Sequence, residues 1–372
     1  MKILIFRGIF TMLSNNIVTI SAAGSGKTTT IVDEAMVKTD SKVLIVTYTN
    51  ENLNEIKRKI IKKYGFIPSH IKIQGWYSFL LQECARPYQN FIYDKKRIES
   101  ILLVEGRSPA YIKKADVEKY YFAKGTLIYT DKISQFIYEC NKKSNGLVIN
   151  RLEKMYDHIY IDEVQDLNGW DLDLIQMFFK SSIKMSLVGD HRQTTYKTNN
   201  AARNGKYSGV KILDFFLDLE KRKKCSVKYR TECHRSNQLI CDFADTLYPI
   251  MKKTISKNHE ETGHDGLFTV NESEVTDYIN TYNPVVLRYD KRSKFDAEKI
   301  MNYGMSKGLT FDRVLIIPTA PIKKYLMKKG ELEGESLSKF YVAVTRAKYS
   351  VAFLMKESVT FEGIRAYQVA NS

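Results

Sequence analysis

Ser21-Ala22-Ala23-Gly24-Ser25-Gly26-Lys27-Thr28 joins an apolar run to a helical pattern, the context in which a glycine-rich string holds phosphate. Gly24 and Gly26 let backbone N–H groups approach phosphate oxygens, Lys27 supplies a cation for the β- and γ-phosphates, and Thr28 carries a hydroxyl suited to Mg²⁺. Ala23, Ser25 and Thr29 complete the stretch expected to touch a bound nucleotide such as ATP. Ser21 stands where the general pattern has its first glycine. Far downstream, His158-Ile159-Tyr160-Ile161 ends in Asp162-Glu163. Two adjacent carboxylates after a strand offer a metal ligand, Asp162, and a base for an attacking water, Glu163. An acidic loop that merely caps a helix is the plainer alternative, and it leaves Lys27 without a purpose.

These groups need a scaffold that brings strand ends together. Ile17-Val18-Thr19-Ile20, Val43-Leu44-Ile45-Val46, His158-Ile159-Tyr160-Ile161, Ser186-Leu187-Val188 and Val314-Leu315-Ile316-Ile317 read as buried parallel strands, each followed by a polar loop or an amphipathic helix. That is an α/β pattern, and in such sheets ligands bind at the carboxyl ends of the strands. Residues 86–150, rich in Tyr, Lys and Ile, read as a mostly helical insertion. A cluster of Asn, Gly and Ser over 201–209 marks a boundary, giving domains 1–205 and 206–372.

The 372 residues carry 58 Lys and Arg against 42 Asp and Glu, a formal charge of +16, which suits a polyanionic partner. The five cysteines form no CxxC pair and read as reduced thiols of a cytoplasmic protein; a metal set of Cys225, Cys233, His234 and Cys241 is a weaker alternative. Arg7 interrupts the opening MKILIFRGIF, and cleavage near Ala22 and Ala23 would destroy the phosphate loop, so no signal peptide is expected. No apolar run is long enough for a membrane helix.

The chain resembles the UvrD/Rep group of superfamily 1 helicases in box after box. Asp162-Glu163-Val164-Gln165-Asp166 is similar to the DExQD box, Val188-Gly189-Asp190 with Gln193 to the GDxxQ box, Val46-Thr47-Tyr48-Thr49-Asn50 to the TFTN element, and Gly75-Trp76-Tyr77-Ser78-Phe79 to the THSF element. His234-Arg235-Ser236 with Ile240 resembles the YRS element, Lys307-Gly308-Leu309-Thr310-Phe311-Asp312 the KGLEFD element, and Tyr341-Val342-Ala343-Val344-Thr345-Arg346-Ala347 the YVAxTRA element. The resemblance spans nearly the whole chain. It implies two RecA-like lobes with ATP and Mg²⁺ between them and single-stranded or partly duplex DNA as partner. Gln193 would sense the γ-phosphate, while Arg235 and Arg346, from the second lobe, would stabilise charge on the transferred phosphoryl group. Arg230 competes with Arg235, whose spacing to Ile240 fits better. His234 and Gly308 join the nucleotide set, and Tyr48, Thr49, Trp76, Tyr77 and Tyr196 the DNA set. Trp76 reads equally well as core.

Departures from the pattern matter too. No Gln precedes Gln74, so the glutamine element that reads adenine in relatives is expected to be absent. Tyr196 is followed by Lys197-Thr198-Asn199-Asn200-Ala201 rather than Arg-Gly-Ala; Gly304 replaces a histidine, and Thr310 a glutamate. Between Pro249 and Met301 there is no room for the large regulatory domain of bigger relatives. The resemblance implies a 3′-to-5′ single-strand translocase or helicase. Its rival is a DNA-sensing regulatory ATPase subunit that switches a partner nuclease, as in anti-phage defence. A P-loop kinase is disfavoured by paired arginines in a second lobe.

Overall fold

The computed structural model describes residues 15–104, 106–108, 111–195, 198–356, 359 and 361–369. In chain order the strands are β1 (Ile17–Ser21), β2 (Val43–Thr47), β3 (Ile71–Gly75), β4 (Ser100–Leu102), β5 (Phe122–Ala123), β6 (Leu127–Tyr129), β7 (His158–Ile161), β8 (Lys184–Gly189) and β9 (Ser226–Arg230). They continue with β10 (Glu232–Cys233), β11 (Ile255–Ser256), β12 (Gly266–Val270), β13 (Val285–Arg288), β14 (Ile300–Asn302), β15 (Phe311–Ile317), β16 (Ala347–Leu354) and β17 (Ile364–Ala366). Two six-stranded sheets, ordered β3-β2-β7-β8-β1-β9 and β14-β13-β15-β16-β12-β17, are parallel throughout. All five expected strands are present, and the two-lobed α/β fold is as the sequence implies.

Parallel pairing follows from composition. The whole of β2 is buried, so its Val-Leu-Ile-Val run has apolar neighbours on both faces. One face packs against helix Lys27–Met36 and helix Asn50–Tyr64 through Ile31, Val32, Ile56 and Ile60. The opposite face carries the larger core, with Trp76, Phe79, Phe136 and Phe178 fully buried. Gly65, at φ 83, ends the second of these helices in the left-handed conformation glycine adopts without strain.

One boundary and the content of one segment differ from expectation. The first lobe continues past 205, because helix Ile212–Lys221 packs Ile212, Phe215, Phe216 and Leu219 into the first core and β9 pairs with β1 as the sheet's edge strand. The covalent crossing therefore follows Arg230. Within 86–150, β4, β6 and β5 form a small sheet that the Tyr- and Lys-rich composition hides, alongside helices Ile133–Lys143 and Leu147–Met155. This insertion has no core of its own: Tyr121, Phe122, Ile128 and Phe136 belong to the same cluster as Trp76.

Candidate functional site: the cleft between the lobes

The phosphate loop leaves β1 and ends where helix Lys27–Met36 begins. Gly24 and Gly26 have φ of 70 and 74, the left-handed region that a side chain resists. At Gly24 space decides as well as conformation: a Cβ there would lie 2.6 Å from Arg235 Cβ and 2.9 Å from Cys233 Sγ. Only glycine lets β10 of the second lobe rest on the loop, and the His234 N–H donates to the Gly24 carbonyl at 2.9 Å. Gly24, Ser25, Gly26, Lys27 and Thr28, at this helix start, all line one cavity, the place where free backbone N–H groups favour an anion. Ser25 lines that cavity with a buried hydroxyl that has no protein partner among the described residues, as an oxygen waiting for phosphate or metal would be.

The carboxylates arrive at the end of β7. Thr28 Oγ1 donates to Asp162 Oδ2 at 3.1 Å, so hydroxyl and carboxylate already share one point at the loop's mouth, a donor pair that fits Mg²⁺. Burial, with the Glu163 charge beside it, pushes the Asp162 carboxyl up to about 6. Glu163 has φ 57, a turn that directs its carboxylate into the cavity. Burial would raise its pKa too, but Lys307, Lys27, the Gln165 amide and Arg346 together hold it below the usual range, leaving an ionised carboxylate. Gly189 lets this segment close up, since a Cβ there would stand 2.3 Å from Gln165 Oε1; that oxygen accepts from the Asp190 N–H at 3.1 Å.

From the second lobe come Arg235, Lys307, Gly308 and Arg346. Arg346 is 1% exposed and donates to Gln193 Oε1 at 3.1 Å, to the Val342 carbonyl at 3.0 Å and to the Leu309 carbonyl at 3.3 Å. Burial and the neighbouring Arg235 push its guanidinium down to about 9. Two like charges lining one cavity favour an anion beside them. Lys307 crosses to the first lobe, 2.7 Å from Asp166 Oδ2 and 3.7 Å from Glu163 Oε2.

One cavity thus gathers Gly24, Ser25, Gly26, Lys27, Thr28, Glu163, Gln193, Arg235, Gly308 and Arg346. Other expected members lie elsewhere. Ala23 is buried in the second lobe's core, Thr29 is exposed, and the His234 side chain is exposed with only its backbone on the loop. Arg230 bonds Thr30 and lines a separate cavity between helix Lys27–Met36 and the β8–β1–β9 half-sheet, which leaves the cleft to Arg235. Sequence reasoning missed Asn52, Glu55 and Lys59, which line the cleft from helix Asn50–Tyr64, the last two paired at 2.7 Å. Their spacing of three and four residues marks one helix face, a signal available in the sequence; which way that face points is not.

The expected DNA residues behave differently. Trp76 is 0% exposed, its ring 5.8 Å from Tyr48 and 6.0 Å from Phe79, so packing corrects the stacking expectation: both ring faces are covered. Tyr48 and Tyr77 are half-buried against the first core, and the Tyr77 hydroxyl donates to the Thr198 carbonyl. Thr49 caps its helix, accepting the Asn52 N–H at 3.1 Å. Tyr196 lies outside the described residues, as does 1–14, on which the leader and glutamine-element expectations bear. The five cysteines are free and buried, no His, Cys, Asp or Glu cluster among the described residues could hold a metal in their place, and no described helix is long and apolar enough to cross a membrane.

Comparison with known proteins gives matching family models and relatives. An AAA domain model matches residues 7–199, and a model of the viral superfamily 1 RNA helicase core domain matches 141–355. The "Probable DNA helicase II homolog" of Mycoplasma capricolum is 24% identical over 314 residues, covering 68% of this chain and 40% of that protein. Gabija protein GajB of Bacillus cereus is 27% identical over 191 residues, 49% of this chain and 38% of that one. The chain therefore spans about two fifths of the length of these relatives. Among solved structures, Arterivirus nonstructural protein 10 (helicase) aligns over 94% of this chain and 64% of that one at 15% identity, with a TM-score of 0.46. With both family models each matching over half of the sequence, the chain belongs to the superfamily 1 helicases, in their UvrD/Rep-like group.

Proposed function

We propose that this chain is a DNA-dependent ATPase that moves along single-stranded DNA by opening and closing the cleft between its lobes. One observation carries the reading: a single cavity is lined by the phosphate loop, by Glu163 and Gln193 of the first lobe, and by Arg235 and Arg346 of the second. Lys27 and the loop N–H groups hold the phosphates. Thr28 and Asp162 hold Mg²⁺, which when bound neutralises phosphate charge. Glu163 takes the proton from the attacking water, and Arg235 and Arg346 meet the charge that develops on the transferred group. Because those arginines belong to the other lobe, hydrolysis and lobe closure are coupled. Net positive charge supports a DNA partner, and 3′-to-5′ polarity rests on the family resemblance.

The test is ATP turnover measured with and without single-stranded oligonucleotides, together with translocation on labelled strands of either polarity. Turnover that rises with DNA supports the reading, and no hydrolysis under any condition removes it. The similarity to GajB supports a second reading, a DNA-sensing regulatory subunit acting with a partner nuclease. That version predicts DNA-stimulated hydrolysis without strand separation.

A further inference from the structure

Between Asp190 and the sensor glutamine Gln193 stands a residue that the hydrolytic scheme leaves unused. Arg192 sits in the turn His191–Gln193, yet its side chain is buried, with the whole residue 4% exposed. Its guanidinium grips Asp190 as a fork, Nε to Oδ1 at 2.9 Å and Nη2 to Oδ2 at 3.5 Å. The remaining nitrogen, Nη1, reaches Asp245 Oδ1 of the second lobe at 3.2 Å. The same guanidinium lies 4.8 Å from the centre of the Tyr341 ring, and the Arg192 carbonyl accepts from the Tyr248 hydroxyl at 3.2 Å.

The identity of these partners gives the contacts a purpose. Asp245 lies on helix Gln238–Thr246, which follows Arg235 almost directly; Tyr341 lies on helix Gly334–Val344, which leads into Arg346. Both arginine-bearing segments of the second lobe are thus seated on one side chain of the first. Asp190, held by the fork, also accepts from the Tyr341 hydroxyl at 3.1 Å and from Gln193 Nε2 at 3.0 Å. That last bond orients the Gln193 amide with Oε1 towards Arg346. Asp245 is fixed in turn by the Thr254 hydroxyl at 2.8 Å.

We propose that Arg192 is a positioning residue that sets the register of the two lobes and thereby holds Gln193, Arg235 and Arg346 at the spacing the phosphoryl group requires. It touches no substrate. A planar fork that also reaches a third oxygen is specific to arginine, and lysine keeps the charge without that geometry. The role rests on the hydrolysis reading above, so its test needs one readout independent of turnover.

Arg192→Lys and the milder Asp245→Asn are compared with the parent protein for melting temperature, affinity for a fluorescent ATP analogue, kcat, and amide hydrogen exchange in the helices Gln238–Thr246 and Gly334–Val344. Arg192→Lys is expected to bind nucleotide within about threefold of the parent while kcat falls roughly tenfold or more. Exchange in both helices should quicken, because they lose a shared anchor. Asp245→Asn keeps one oxygen for the Thr254 hydroxyl and Arg192, gives up the acceptor of the Thr254 N–H, and should shift kcat in the same direction by less. If Arg192→Lys melts lower but keeps parental kcat, or if exchange in the two helices is unchanged, the inference is overturned. Should the parent itself fail to hydrolyse ATP, the proposed function falls, and the exchange experiment still decides whether Arg192 sets the lobe register.

Discussion

At the phosphate end of the cleft, Lys27, Thr28, Glu163, Gln193, Arg235 and Arg346 meet around one cavity, whereas on the adjoining rim Thr49, Trp76 and Tyr77 are each engaged by the protein itself. What burial demands of a charge and of a ring separates the two. Buried charges need partners of opposite sign or a bound ion, so their types and positions are tightly constrained. A ring that stacks on a base must instead stay uncovered, and whether neighbours cover it depends on packing distant in sequence.

The comparison is broken most severely at Glu163. Glu163→Gln should retain nucleotide and lose turnover by about 10²- to 10⁴-fold, while Lys27→Ala should lose nucleotide binding itself, measured by fluorescent-nucleotide titration beside a phosphate-release assay. Parental turnover in Glu163→Gln would remove the base assignment. On the rim, Trp76→Ala should act as a core deletion, costing about 3–5 kcal/mol of stability and leaving the DNA affinity of the folded fraction unchanged. Denaturant unfolding together with fluorescence anisotropy separates these, and a stable variant that has lost DNA would show that the Trp76 ring is uncovered in the working state.

DNA affinity sharpens the same contrast. With charge rather than stacking dominant, binding of mixed-sequence single strands should weaken on the order of 10²-fold between about 50 and 200 mM salt. A flat response would assign affinity to the rings instead. The smallest effect concerns Asp171, which sits beneath the rim accepting from the Ser134 and Thr198 hydroxyls. Burial raises its pKa from 3.8 to about 6. The folded state holds this proton more tightly than the unfolded, so the carboxyl adds stability below about pH 4 that is lost as pH rises through about 6. Asp171→Asn should therefore melt a few degrees above the parent near pH 8 and lose that advantage near pH 4. The opposite pH trend would mean that the hydroxyls favour the ionised form over the neutral one.

Much of the cluster that lines the cleft was legible because its residues occupy strand ends. Val43–Thr47 and His158–Ile161 announce buried parallel strands by composition, and the residues after such strands fall on one rim of the sheet. Gly24 was legible as a phosphate-loop glycine, but not as the surface on which β10 rests, because that contact joins residues far apart in the chain. The boundary near 205 misled because Asn, Gly and Ser report local turn preference, whereas β9 joins the first sheet through pairing with β1. Arg192 stayed silent because the GDxxQ pattern leaves its position open and its partners, Asp245 and Tyr341, lie in the other lobe.

The two-lobed site is tested most directly by Arg346→Ala, assayed on one preparation for nucleotide affinity, melting temperature and DNA-stimulated turnover. Arg346 belongs to the second lobe yet bonds Gln193 of the first, at 3.1 Å, inside the cavity formed by the phosphate loop. The variant should bind nucleotide nearly as well as the parent and lose turnover on the order of 10³-fold, since an arginine at this point acts mainly once charge moves onto the transferred group. A variant that melts lower yet keeps its full specific activity would reduce Arg346 to a packing residue and contradict a catalytic cleft shared between the lobes.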